Sequence, residues 1–211
     1  MKHLPDSGFT VESKSGIHLL TLASPDNLNR LTRKRVLTLT ATLLHLLPQP
    51  LIISGNSQFF SVGADLHEIE KLTGPDAYEF SMMGQTLMHA VEQFPAPVYA
   101  AMAGHCMGGG LDLALACHHR IASPNAMFGH RGAALGLLTG WGGTQRLSRL
   151  VGKAKALELF VTAETFSAEP ALQLGLVDAI ADHPKGEAAR LIAARFAAPG
   201  FIASSLPAGI P

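Results

Sequence analysis

The sequence predicts an α/β fold, and three observations carry that expectation. Short apolar runs at residues 17–23, 51–54 and 98–102 alternate with longer segments whose apolar residues recur at helical spacing. Gly and Pro clusters separate the two kinds of segment, as at Pro48/Pro50 and Pro95/Pro97. The chain is 211 residues long, a length suited to one domain around one core, and no linker divides it. Alternation of this kind allows both parallel and antiparallel strand pairing.

Residues 10–14 and 17–23 read as two strands joined at Ser15-Gly16. A turn-rich stretch, SPDNLNRLT, leads into a helix predicted over 31–46, which Pro48 and Pro50 stop. Residues 51–54 form a buried strand, Gly55-Asn56-Ser57 turns the chain, and Asp65 is an N-cap for a helix start. The longest helical pattern covers 75–94, and 98–102 is another buried strand. Gly108-Gly109-Gly110 precedes an apolar helix at 111–117, and 120–122 is a strand. Residues 129–143 are glycine-rich and irregular. Helices follow near 144–150, 153–162 and 168–174, and 177–181 closes the sheet. The tail from Gly200 is rich in Gly, Pro and Ser and reads as loose.

Composition narrows the function classes. Hydrophobic residues make up 47% and charged residues 15%, which argues against disorder and hints at apolar surface covered by a partner subunit. Formal net charge is zero, so no basic excess points to nucleic acid. No apolar run is long enough to span a membrane, and no secretory h-region follows the start. The expected location is the cytoplasm. Cys106 and Cys117 lack zinc-site or CxxC spacing and read as buried free thiols. His118-His119 has no third ligand at sensible spacing, so no metal is expected.

Two glycine-bearing turns carry the chemistry. At Gly108-Gly109-Gly110 the missing side chains let backbone approach a ligand, and the first N–H groups of the following helix lack intrahelical partners. Such a turn suits an anion or a developing oxyanion, although glycine used only for packing gives the same string. The pattern is neither a dinucleotide fingerprint nor a phosphate loop. The second turn, Gly63-Ala64-Asp65, also sits between a strand and a helix start, so both could aim an N–H at one oxygen.

FFSVGADL, AMAGHCMGGGLDLALAC, FGHRGAALGLLTGWGGTQRLSRLVGKAKALEL and SAEPALQLGLVD occur in that order. Together they resemble the enoyl-CoA hydratase/isomerase, or crotonase, superfamily. The likeness runs from about residue 11 to residue 178. It implies a crotonase-like fold of repeated ββα units, here a core domain over 1–183. A shortened C-terminal helical region and loose tail would occupy 184–211. It implies a homotrimer or hexamer and an acyl-CoA substrate, with coenzyme A as part of that substrate and no other cofactor. The family's two backbone donors to the thioester carbonyl fall on Ala64 and Gly109. The same segments put Gly63, Asp65, Leu66 and Gly108 beside the substrate, with Thr139 and Trp141 as acyl-pocket walls.

The chain departs from the family pattern at the acids. Hydratases of the family carry two catalytic glutamates. The first position holds Asp112, one methylene shorter, and the second holds Gly132. Asp112 is therefore the acid–base candidate. Gly132 is expected to leave open space opposite it, for water, for His130 or for an anion. His130 reads more readily as a surface or supporting histidine than as a proton carrier, and Arg131 as a partner for Asp112 or a substrate carboxylate. Arg30 reads as a solvated arginine rather than a phosphate ligand. Isomerisation, hydration or dehydration, decarboxylation and thioester hydrolysis all remain open, as does a catalytically impaired coenzyme A-binding or assembly subunit.

Overall fold

A computed structural model describes residues 7–197; the loose tail expected from Gly200 lies outside them. The chain opens with β1 (Phe9–Lys14) and β2 (Ile17–Leu22), an antiparallel hairpin with Lys14 opposite Ile17. Its turn, Ser15-Gly16, has φ of 52° and 75°, the two left-handed residues that match the twist of the flanking strands. Helix α1 (Arg33–His45) follows, with the Thr32 hydroxyl accepting from the Arg35 N–H. It starts two residues later than periodicity suggests because Leu31 pairs with Ala64 as an isolated β-bridge.

The next segments repeat one plan. Strands β3 (Leu51–Ser54) and β4 (Phe59–Ser61) precede α2 (Leu66–Ile69) and α3 (Gly74–Glu92). Thr73 and Asp76 form a reciprocal capping box at the start of α3. Strands β5 (Val98–Met102) and β6 (His105–Met107) precede α4 (Gly109–Ala116). Strands β7 (His119–Ala122) and β8 (Met127–Gly129) precede a 3-10 turn (Arg131–Leu135), α5 (Gly143–Val151) and α6 (Lys153–Thr162). The chain then forms β9 (Phe166–Ser167), α7 (Ala168–Gln173), β10 (Ala179–Ile180) and α8 (Pro184–Ala197). This is the repeated ββα pattern that the resemblance implies.

Two sheets result. The first strand of each pair joins a six-stranded sheet, ordered β1-β2-β3-β5-β7-β10, parallel except for the opening hairpin. The second strand joins a small sheet, ordered β4-β6-β8-β9, in which β4, β6 and β8 run parallel. Parallel strands end on the same edge. The segments leaving β4, β6 and β8 (Val62-Gly63-Ala64, Gly108-Gly109 and His130) therefore emerge side by side. The small sheet was not read from the sequence, where its strands merged into the turns they feed.

Both faces of the large sheet are covered, which is why β3 and β5 are wholly buried. Leu51, Ile53, Val98, Ala100 and Met102 belong to the main core. The alternate residues Ile52, Tyr99 and Ala101 pack with Ala188 and Ile192 of α8 on the other face. Cys106 and Cys117 are buried free thiols. Among the described residues, no helix is long and apolar enough to cross a membrane.

Candidate active site

The two glycine turns meet. Gly63 has φ of 90°, and a Cβ built on it would lie 2.7 Å from the Gly109 nitrogen and 2.7 Å from the Met107 carbonyl oxygen. Only glycine permits that approach. Neighbouring backbone groups are committed elsewhere: Leu31 N–H donates to Gly63 O, Val62 N–H to Leu28 O and Gly108 N–H to Gly129 O. Among the described residues these bonds leave the N–H groups of Ala64 and Gly109 without a backbone acceptor. Both residues line one cavity.

Helix α4 begins at Gly109, two residues earlier than the apolar pattern over 111–117 predicts. The three glycines thus have different tasks. Gly108 alone takes positive φ, at 50°. A Cβ on Gly109 would lie 2.5 Å from the Trp141 ring, and one on Gly110 would lie 2.5 Å from the Ser61 carbonyl oxygen. Close packing, rather than a left-handed backbone, requires those two.

The cavity encloses about 430 Å³ and is walled by apolar side chains, among them Leu66, Ile69, Phe80, Leu138, Trp141 and Phe160. It also takes in Gly108, Asp112, His130, Gly132 and Thr139. Of the residues expected beside the substrate, Gly63 and Asp65 are not part of the lining. Gly63 supports the lining from behind, and Asp65 caps α2 by accepting from the His67 N–H. Trp141 is fixed by its indole N–H, which donates to Phe80 O at 3.2 Å, and by ring contact with Phe80.

Asp112 lies in the first turn of α4 and is 1% exposed. Its Oδ2 accepts the Thr139 hydroxyl. Its Oδ1 has no hydrogen-bond partner and lies 3.5 Å from His130 Nε2, which has none either. That separation is too long for a good hydrogen bond. An unmet buried polar atom costs about 1–3 kcal/mol, so the fold carries a penalty here that a bound ligand can relieve. Burial pushes the Asp112 carboxyl up to about 7, against the Thr139 hydrogen bond and the charge of Arg146. Burial also pulls His130 down to about 4. Near neutral pH the imidazole is therefore uncharged, and the two groups are not a fixed ion pair.

Three sequence expectations are corrected. His130 is not on the surface; it is 5% exposed and faces the carboxylate, with its ring 5.1 Å from that of Phe160. Arg131 is exposed at the cavity's edge, and the immediate neighbours of Asp112 are Thr139 and His130, so of the two partners expected for Arg131 the substrate carboxylate is the one left open. Gly132 lines the cavity, but the missing side chain is not what opens it: a Cβ there would lie 2.8 Å from the Leu137 carbonyl oxygen, in a turn closed by Leu137 N–H donating to Gly132 O.

Gly143, at the start of α5, escaped the sequence reading. A Cβ there would fall 2.0 Å from Asp112 Oδ1 and 3.0 Å from His130 Cε1, so its absence lets the pair meet. Arg146, one turn further on, donates to Glu92 Oε2 at 2.7 Å and ties α5 to α3. Elsewhere, Arg30 pairs with Asp26 and is partly exposed. His118 Nδ1 accepts from Val98 N–H, and His119 stacks on Tyr99.

The buried pair makes a prediction about stability. The folded-state value of Asp112 is raised from 3.8 to about 7. In that window the folded chain holds a proton the unfolded chain lacks, so this contribution falls as pH rises. The value of His130 is lowered from 6.5 to about 4, so its contribution rises with pH across that window. In the wild type the two slopes oppose each other. Relative to wild type, Asp112→Asn is expected to gain stability as pH rises through the window, and His130→Gln to lose it, each by up to about 1.4 kcal/mol per pH unit. Urea unfolding over a pH series measures both, and parallel curves for the three proteins would contradict the assignment.

These strands, glycine turns and buried carboxylate define a crotonase-fold protein. The family model described as enoyl-CoA hydratase/isomerase matches residues 12–199. The chain belongs to the enoyl-CoA hydratase/isomerase family. It is 46% identical over 161 residues to a probable enoyl-CoA hydratase of Bacillus subtilis (strain 168), covering 74% of this chain and 62% of that protein. It is 35% identical over 175 residues to the crotonyl-CoA hydratase of Syntrophomonas wolfei, covering 81% of this chain and 67% of that one. The chain thus spans less than two thirds of the length of the Bacillus subtilis relative. Among solved structures, Pseudomonas aeruginosa DspI matches with a TM-score of 0.84 at 34% identity, covering 89% of this chain and 79% of that one. A putative enoyl-CoA hydratase from Thermobifida fusca in complex with CoA matches with a TM-score of 0.82 at 28% identity, covering 92% and 80%.

Proposed function

We propose that the chain binds an acyl-CoA thioester and acts on the carbons beside its carbonyl. The N–H groups of Ala64 and Gly109 hold the carbonyl oxygen and stabilise an enolate-like intermediate, and Asp112 moves the proton. The observation that carries this reading is the contact between the Gly63 and Gly109 turns, which sets two uncommitted N–H groups on one cavity that also contains a buried carboxyl. Each such donor is worth about 3 kcal/mol of barrier. The apolar wall suits an acyl chain, and a solved relative bears CoA. The product class is that of a lyase or isomerase, with coenzyme A entering as part of the substrate. Assembly as a homotrimer or hexamer and a cytoplasmic location complete the proposal.

A second reading, a coenzyme A-binding or assembly subunit without turnover, is favoured by Gly132. The Leu137 carbonyl blocks any side chain there, so position 132 supplies no second acid. A panel of enoyl-, hydroxyacyl- and malonyl-type CoA esters, assayed beside calorimetric binding, separates the two. Binding with turnover of at least one ester is expected. Binding with none across the panel would favour the second reading, and no binding at all would contradict both.

A further inference from the structure

The cavity floor holds two buried polar atoms that face each other and bond to nothing. Asp112 Oδ1 and His130 Nε2 are 3.5 Å apart, on side chains 1% and 4% exposed. Thr139 occupies the other carboxyl oxygen, so Oδ1 is the free one. His130 is held against Phe160, and Gly143 removes the one Cβ that would part the pair. An oxygen atom about 2.8 Å from each would complete a triangle with both, at ordinary hydrogen-bond length. A carboxylic acid and a neutral imidazole supply such an oxygen with one donor and one acceptor.

We infer that His130 is a second catalytic residue, and that its Nε2 and Asp112 Oδ1 together bind the oxygen of a reacting water or of a substrate β-hydroxyl. The site would then hydrate trans-2-enoyl thioesters, or dehydrate 3-hydroxyacyl thioesters, with one carboxyl and one imidazole. The inference rests on the proposed function, since it needs the thioester held at Ala64 and Gly109.

The step balances within the pair. Water oxygen bonds to the β-carbon and gives a proton to His130 Nε2, while the carbon–carbon π electrons move to form the enolate. The carboxylic acid of Asp112 then protonates the α-carbon and becomes a carboxylate. The imidazolium Nε2–H returns its proton across 3.5 Å to Asp112 Oδ1, restoring the starting state. Dehydration is the reverse. The pair holds one proton beyond the carboxylate and neutral imidazole at rest, two while the enolate exists, and one again once the α-carbon is protonated. Burial raises Asp112 to about 7 and lowers His130 to about 4, so at rest the extra proton sits on the carboxyl and not on the imidazole. The other groups around the pair are the Thr139 hydroxyl, the Cys106 thiol, which burial keeps protonated, and Arg146, already bound to Glu92. Activity should therefore be bell-shaped in pH, with limbs that belong to the pair as a unit.

The test uses the full chain with short- and medium-chain trans-2-enoyl-CoA esters, comparing wild type, His130→Phe, His130→Gln and Asp112→Asn. Melting temperature and ester binding serve as folding controls. Both His130 variants are expected to lose about a hundredfold in kcat with little change in KM, and to lose the acid limb of the profile. If both keep wild-type kcat and the acid limb while Asp112→Asn is inactive, the role of His130 is overturned and that of Asp112 stands. If Asp112→Asn keeps wild-type turnover, the proposed role of Asp112 falls, and this inference with it. A wild-type chain that binds the esters but hydrates none overturns the inference on its own.

Discussion

Asp112→Asn is expected to lower turnover by at least about a hundredfold, the usual worth of a positioned acid–base group, while ester binding stays within about threefold. The amide has the shape of the acid and can still accept the Thr139 hydroxyl through its oxygen. It cannot release or take up a proton at neutral pH. A loss confined to kcat therefore reports the proton and not the packing. Steady-state kinetics beside calorimetric binding make the measurement. Unchanged turnover would remove Asp112 from the mechanism.

Gly63→Ala is expected to cost about a hundred- to a thousandfold in kcat/KM, the scale seen when an oxyanion donor is lost. Two effects act at this residue. Alanine at φ of 90° is strained, by about 1–2 kcal/mol. Its methyl would also lie 2.7 Å from both Gly109 N and Met107 O, which are backbone atoms and cannot swing aside. The ends of β4 and β6 must separate, and the Ala64 and Gly109 donors with them. His130 follows β8, a different strand, whereas Asp112 lies three residues along the helix that Gly109 opens. A folded variant with this loss ties rate to donor spacing, and a folded variant of wild-type rate would refute that link.

Long, periodic or fully buried segments were legible in the sequence. Residues 51–54 and 98–102 form strands as read, and the helices over 75–94 and 153–162 differ from α3 and α6 by at most two residues at either end. The small sheet was not legible, because strands such as Phe59–Ser61 and Phe166–Ser167 are too short to show a period of two. Gly109 and Gly110 read as turn residues in the sequence, since glycine is a poor helix former. Packing against Trp141 and Ser61 overrides that propensity. His130, beside a charged arginine, carries no local sign of burial. Its position follows from β8 ending beside β6, a long-range fact of topology. Gly143 was invisible for the same reason, since what it makes room for comes from α4 and the end of β8.

The central claim is that two backbone N–H groups, and no side chain, polarise the thioester carbonyl. Isotope-edited infrared spectroscopy of a carbonyl-labelled acyl-CoA bound to the protein tests it most directly, because a hydrogen-bonded C=O stretches at lower frequency. The shift to lower frequency on binding should be present in the wild type, retained in Asp112→Asn and lost or reduced in Gly63→Ala. An ester that binds wild-type protein with its carbonyl frequency unchanged from solution, or a shift that survives intact in Gly63→Ala, would contradict the claim.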